Sequence, residues 1–138
     1  MKTNYIALAS GLVWGLIAAL IFSARSTWGH IHDVRWWACA LAPLVGLGIY
    51  HCSRWSYRKS LGIQFAWALV TLYLASGVYG LIIGCITWAM LSGANLGAVI
   101  EPALAFWGGL TFFGYIIVLG PLAIVNHQLL RRYEPAAR

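Results

Sequence analysis

The sequence predicts an all-α integral membrane protein, a single domain built as a bundle of four antiparallel transmembrane helices. Of its 138 residues, 62% are hydrophobic and 9% are charged, whereas a soluble domain carries about 25% charged residues. The apolar residues form four long stretches, and the basic residues gather in the short segments between them. That placement is typical of membrane proteins rather than of nucleic-acid-binding proteins.

The four predicted helices have lengths that suit a bilayer, since a helix needs about 20 apolar residues to cross it. They cover approximately residues 5–24, 35–52, 61–91 and 103–125. The first stretch is longer than the apolar region of a signal peptide, so we expect a retained helix. The third stretch contains no proline, which predicts one continuous, tilted helix about 46 Å long. Pro43 predicts a kink in the second helix, and Gly120-Pro121 predicts a bend near the inner end of the fourth.

The charges of the loops predict the orientation. With four spans, both termini and the second loop lie on one side of the membrane. That side carries seven basic residues, Lys2, Arg54, Arg58, Lys59, Arg131, Arg132 and Arg138, and the other side carries Arg25 and Arg35. Because basic loops stay in the cytoplasm, we expect both termini there, in a bacterial inner membrane.

Small residues recur every four positions on two helices, which places them on one helix face. On the first helix they are Ala7, Gly11, Gly15 and Ala19, and on the third they are Ser76, Gly80 and Gly84. A weaker stripe on the second helix consists of Ala38, Ala42 and Gly46. Such faces let helix backbones approach closely in a membrane. They are interpreted either as contacts within this bundle or as a docking face for another subunit.

Two groups of histidines are candidate ligand sites. His30, His32 and Asp33 form a compact cluster in the first loop, and imidazoles with a carboxylate suit Zn or Cu. No convincing further ligand lies on that side of the membrane, and the alternative is that they are solvated loop residues.

His51 and His127 end the second and fourth predicted helices at the same inner boundary. Two imidazoles placed in this way suit the axial positions of a b-type haem. The alternative is a pair of interfacial histidines that reach toward the lipid headgroups.

Several function classes find no support in the sequence. The acidic residues are Asp33, Glu101 and Glu134, and none lies in the middle of a predicted span, which disfavours a proton-coupled exporter. The chain has no paired carboxylates, no Ser-His-Asp set and no Gly-rich phosphate loop, so we do not expect an enzyme. The three cysteines are widely spaced, without a CxxC motif, and do not predict a disulfide framework.

The leading functional prediction is a small accessory subunit of a larger membrane complex, acting through helix packing and lipid contacts. Its expected partners are other membrane subunits and lipids, with a homo-oligomer as an alternative and without nucleic acid. The second hypothesis is a small oligomeric transporter of a lipid-linked or small-molecule substrate. The third is a membrane anchor for electron transfer that binds haem b; otherwise we expect no cofactor.

Overall fold

The computed structural model describes residues 2–23, 32–90, 96–112 and 114–134, and helices are the only regular secondary structure in this part of the chain. The elements are α1 (Lys2–Ser23), α2 (His32–Ser53), a short 3₁₀ helix (Ser56–Arg58), α3 (Leu61–Met90), α4 (Gly97–Phe112) and α5 (Tyr115–Tyr133). The first three helices agree with the predicted ones to within a few residues.

The described helices support a helical membrane protein. Thr3–Leu20 within α1 and the whole of α3 are long and apolar enough to cross a bilayer, and α4 with α5 makes a third candidate if the two count as one broken span. The apolar part of α2, Ala38–Ser53, is shorter. α2 runs through Pro43, and α3 is continuous over 30 residues, as its lack of proline predicts.

The predicted fourth helix, 103–125, is wrong. Two helices occupy this region, α4 and α5, and they are bent by 93° relative to each other. Gly114 lies at the break with a φ of 68°, a left-handed conformation that glycine adopts readily and that commonly ends helices. The predicted bend at Gly120-Pro121 falls inside α5 instead.

The small stripes of α1 and α2 face each other. A Cβ on Gly11 would lie 2.5 Å from the carbonyl oxygen of Ala42, and one on Gly46 would lie 2.5 Å from the Cα of Gly11. Three residues before Ala42 on α2, the buried Cys39 thiol donates to the carbonyl oxygen of Gly15, at 3.1 Å. Because the backbones touch at several points, α1 and α2 form one tightly packed pair.

The stripe of α3 makes the same kind of contact with α4. A Cβ on Gly80 would lie 2.5 Å from the Cα of Ala103, and one on Gly84 would overlap the carbonyl group of Val99. Contacts within the chain therefore use glycines of both predicted stripes. Docking of another subunit on the stripes stays a prediction.

Polar contacts bring three helix ends together. Thr3 Oγ1 donates to the carbonyl oxygen of Tyr133 at 2.7 Å, which joins the start of α1 to the end of α5. Tyr50 near the end of α2 donates to the carboxylate of Glu134, and Arg54 Nε lies 2.7 Å from the same carboxylate. This end of the bundle, called the basic end below, also carries the exposed Arg58, Lys59, Arg131 and Arg132.

Gln64 joins the start of α3 to α5 at the basic end. Its side chain is 1% exposed. Its amide nitrogen donates to the carbonyl oxygen of Lys59 at 2.7 Å, and its Oε1 accepts from Gln128 at 3.0 Å and from Arg131 at 3.2 Å. The buried amide is thus satisfied, as a polar group in an apolar interior requires.

Candidate functional site

The bundle contains a partly open cavity of about 320 Å³, lined by residues of all five α-helices and by Tyr57 of the 3₁₀ helix. Its size falls in the range of about 300–1,000 Å³ that is usual for small-molecule sites. The cavity lies between two closely packed helix pairs, α1 with α2 and α3 with α4. Aromatic side chains from both pairs lie on its wall, Trp14 from the first and Tyr79 and Phe106 from the second.

Most of the cavity wall is apolar. Leu72, Ala75, Leu110 and Leu119 are typical wall residues. Among the described residues, the lining contains no aspartate, glutamate, lysine or arginine. A charged ligand would therefore lose its hydration without gaining a counter-ion, so the wall favours a neutral ligand.

Polar groups line the cavity toward the basic end. Ser10 Oγ donates to Asn126 Oδ1 at 2.8 Å across α1 and α5. Ser53 Oγ donates to the carbonyl oxygen of Ile49 at 2.7 Å and accepts from Trp67 Nε1 at 3.1 Å. Both hydroxyl protons are therefore used within the protein.

Tyr57 and His127 lie side by side, with ring centroids 4.8 Å apart, and both side chains are buried, at 5% and 4% exposed. The Tyr57 hydroxyl is buried and has no hydrogen-bond partner among the described residues. Burial raises the pKa of this hydroxyl well above its usual range, so it is a neutral phenol that keeps its proton to donate. An unpartnered buried hydroxyl costs about 1–3 kcal/mol.

The 3₁₀ helix positions Tyr57, and the C-terminal half of α5 positions His127. Ser56 follows the end of α2 and donates to the carbonyl oxygen of Ser53 at 2.7 Å, which tightens the turn. The same hydroxyl lies 3.2 Å from His127 Nε2. The turn therefore holds Tyr57 on the cavity wall and fixes the orientation of the imidazole.

The two histidines of the predicted haem site lie in different surroundings. His127 lines the cavity. His51 is exposed, stands edge-on to Tyr50 with ring centroids 5.1 Å apart, and does not line the cavity. The structure does not bring both rings to this cavity, and haem binding stays a prediction.

The predicted metal cluster falls largely outside the described residues. His30 lies outside them, and His32 and Asp33 begin α2 with side chains that are not described. Among the side chains that the structure does describe, no three of His, Cys, Asp or Glu lie close enough to share a metal ion.

Hydropathy and residue spacing did not identify Tyr50 and Tyr57 as buried residues of this region. They are 3% and 5% exposed, whereas Trp55, in the same segment, is 49% exposed. The turn that buries Tyr57 depends on the Ser56 hydrogen bond, and hydropathy carries no signal for it.

Comparisons with protein-family models, with curated proteins and with solved structures found no match.

Proposed function

We propose that this protein binds a small, mostly apolar molecule in the cavity between its helix pairs, as the substrate site of a small membrane transporter. The observation that carries the proposal is the cavity of about 320 Å³, with apolar walls and a polar end. A concave, mainly apolar site with a few convergent polar groups is the usual form of a small-molecule site.

The break between α4 and α5 supports a transport role. Leu110 before the break and Tyr115 after it both line the cavity. Within a bilayer, non-helical backbone is tolerated where protein buries it or where it lines a cavity. Transporters commonly build their substrate sites at such interrupted helices. The left-handed Gly114 gives this chain an interruption of that kind beside its cavity.

The proposed arrangement in the membrane has four spans, with α4 and α5 together forming the last. Both termini and the basic end face the cytoplasm of a bacterial inner membrane. Support comes from the contact between Thr3 and Tyr133, which joins the starting and final helices at one end. The exposed Arg58, Lys59 and Arg132 lie at the same end, where the positive-inside rule places them.

A cavity-filling substitution tests the proposal. Ala75 lines the cavity, whereas Ala66, nine positions earlier on the same helix, is exposed and does not line it. The protein is reconstituted in lipid nanodiscs and photolabelled with a hydrocarbon that carries a diazirine, and labelled residues are mapped by mass spectrometry. We expect label on cavity residues in the wild type and in Ala66→Phe, and loss of that label in Ala75→Phe.

Labelling of lipid-facing residues provides the internal reference. Leu12 and Val13 are exposed on α1, at 44% and 54%, and should be labelled equally in all three proteins. Equal labelling of the cavity in Ala75→Phe and Ala66→Phe would show that the cavity is not a binding site.

The accessory-subunit hypothesis remains the second candidate. Since glycines of both small-residue stripes pack within the chain, a partner would contact large apolar residues that this chain exposes, such as Leu16 and Leu20 of α1. Purification in a gentle detergent tests it: a subunit brings down other membrane chains in a fixed ratio, and a transporter is recovered alone or as a homo-oligomer.

The haem-anchor hypothesis has a separate spectroscopic test. Ligation by His51 and His127 predicts a Soret band in protein produced with an adequate haem supply, and each single alanine variant should lose the band. A colourless preparation of the intact protein would remove this hypothesis.

A further inference from the structure

We infer that the cavity selects a neutral molecule that ends in a hydroxyl group, and that both Tyr57 and His127 form hydrogen bonds with this hydroxyl. The inference rests on the proposed function, because it names the ligand of the same cavity. The two buried rings lie on the cavity wall with their centroids 4.8 Å apart.

Tyr57 supplies the donor. Its hydroxyl is buried, keeps its proton and finds no acceptor among the described residues. A ligand oxygen at this end of the cavity would accept that proton. The phenol would then make the hydrogen bond that buried polar groups in folded proteins normally have.

His127 supplies the acceptor, and Ser56 fixes which nitrogen it is. A serine hydroxyl has one proton, and Ser56 gives it to the carbonyl oxygen of Ser53 at 2.7 Å. The 3.2 Å contact between Ser56 Oγ and His127 Nε2 must therefore have Nε2–H as its donor. A neutral imidazole carries a single N–H, so Nδ1 is left as an acceptor.

The surroundings favour the neutral imidazole and a neutral ligand. His127 is 4% exposed, and its hydrogen-bond partner is a hydroxyl rather than a carboxylate. Burying an unpaired charge is strongly unfavourable. The described lining residues also offer no cation for a phosphate or carboxylate headgroup. A hydroxyl group fits both rings, because it accepts from Tyr57 and donates to Nδ1.

The rest of the ligand is mainly apolar, because the Thr71 and Ser76 hydroxyls on the remaining wall donate to backbone carbonyl oxygens. The walls beyond the polar end are formed by residues such as Leu72, Phe106 and Leu110. The class is therefore a medium-chain or isoprenoid-like alcohol, with a polar end toward the basic end of the bundle. The competing occupant is the acyl chain of an ordinary membrane lipid, which has no hydroxyl to place there.

Three photoactivatable probes of equal chain length separate these occupants: a medium-chain alcohol, its methyl ether and the parent hydrocarbon, each with a mid-chain diazirine. Labelling of cavity residues is measured in nanodiscs and corrected for the concentration of each probe in the lipid. The ether keeps the acceptor for Tyr57 but cannot donate to His127. We expect the alcohol to label most and the hydrocarbon least, with about 3- to 10-fold between successive probes, as one hydrogen bond each provides.

The variant Tyr57→Phe identifies the donor. It should lower labelling by the ether to the level of the hydrocarbon and lower that by the alcohol by about 3- to 10-fold. Tyr73→Phe is the matched control, since Tyr73 lies on α3, bonds Thr111 at 3.2 Å and does not line the cavity. This control should leave the order of the three probes unchanged.

Failure of this inference differs from failure of the proposed function. Equal cavity labelling by all three probes would overturn the hydroxyl assignment while leaving the cavity as a site for apolar chains. Cavity labelling by none of the probes would overturn both. An ether that still labels the cavity more than the hydrocarbon in Tyr57→Phe would show that Tyr57 does not hold the ligand.

Discussion

Gly46 of α2 lies against Gly11 of α1 so closely that a Cβ on Gly46 would stand 2.5 Å from the Cα of Gly11 and 2.7 Å from the carbonyl oxygen of Ala7. At this crossing the two helix backbones lie in direct contact, with no side chain between them. Where helices associate by van der Waals contact, such close approach is a main source of their attraction.

The first prediction follows from this crossing. Gly46→Ala should lower the free energy of unfolding by about 1–3 kcal/mol, because the added methyl group forces the two backbones apart. Unfolding by denaturant in a mild detergent measures it. Gly48→Ala is the control on the same helix, since a Cβ there meets nothing within 4 Å. That change should be neutral or stabilising by up to about 1 kcal/mol. Equal effects of the two substitutions would contradict the close crossing.

The second prediction concerns the break between α4 and α5. Gly114→Ala should cost about 1 kcal/mol of stability, because an L side chain is strained at a positive φ. Gly108→Ala, six positions earlier within α4, meets nothing within 4 Å and should not destabilise. If the two variants unfold alike, α4 and α5 form the continuous helix that the sequence predicts.

The third prediction concerns the unpartnered hydroxyl of Tyr57. In the ligand-free protein, Tyr57→Phe should leave stability unchanged or raise it by up to about 1 kcal/mol, because it removes a buried donor that has no acceptor. Tyr50→Phe should instead lower stability by about 1 kcal/mol, since Tyr50 donates to the Glu134 carboxylate. The same unfolding measurement serves both variants. A loss in Tyr57→Phe as large as in Tyr50→Phe would mean that the Tyr57 hydroxyl is satisfied without a ligand.

The fourth prediction concerns topology. A reporter that is active only in the cytoplasm should give signal when fused at Arg138 and none when inserted near Gly97, at the start of α4. The four-span arrangement places these points on opposite sides. Equal signal at both positions would contradict the four-span arrangement.

Much of the helical layout could be predicted from the sequence. Apolar stretches without proline or charge gave the bounds of α1 and α3 to within a few residues, because helix length in a bilayer follows hydropathy. The small-residue spacing identified faces whose glycines make the closest contacts, Gly11 and Gly80 among them. Local periodicity does not tell which helix a face meets, so the pairs themselves could not be predicted.

Hydropathy could predict neither the break at Gly114 nor the cavity. An apolar run gives the same signal whether it forms one straight helix or two helices at 93°. The glycines at 108, 109 and 114 were the available hint, and Gly120-Pro121 was a stronger but misleading one. The polar end of the cavity joins Ser10, Ser53, Tyr57 and His127 from distant parts of the chain, a set that only the tertiary arrangement assembles.

The most direct test of the central claim is equilibrium binding of a radiolabelled medium-chain alcohol to the protein in nanodiscs, with empty nanodiscs as background. The cavity account predicts saturable binding of close to one molecule per chain in the wild type and in Ala66→Phe, and background alone in Ala75→Phe. Saturable binding that is the same in Ala75→Phe as in the wild type would contradict it.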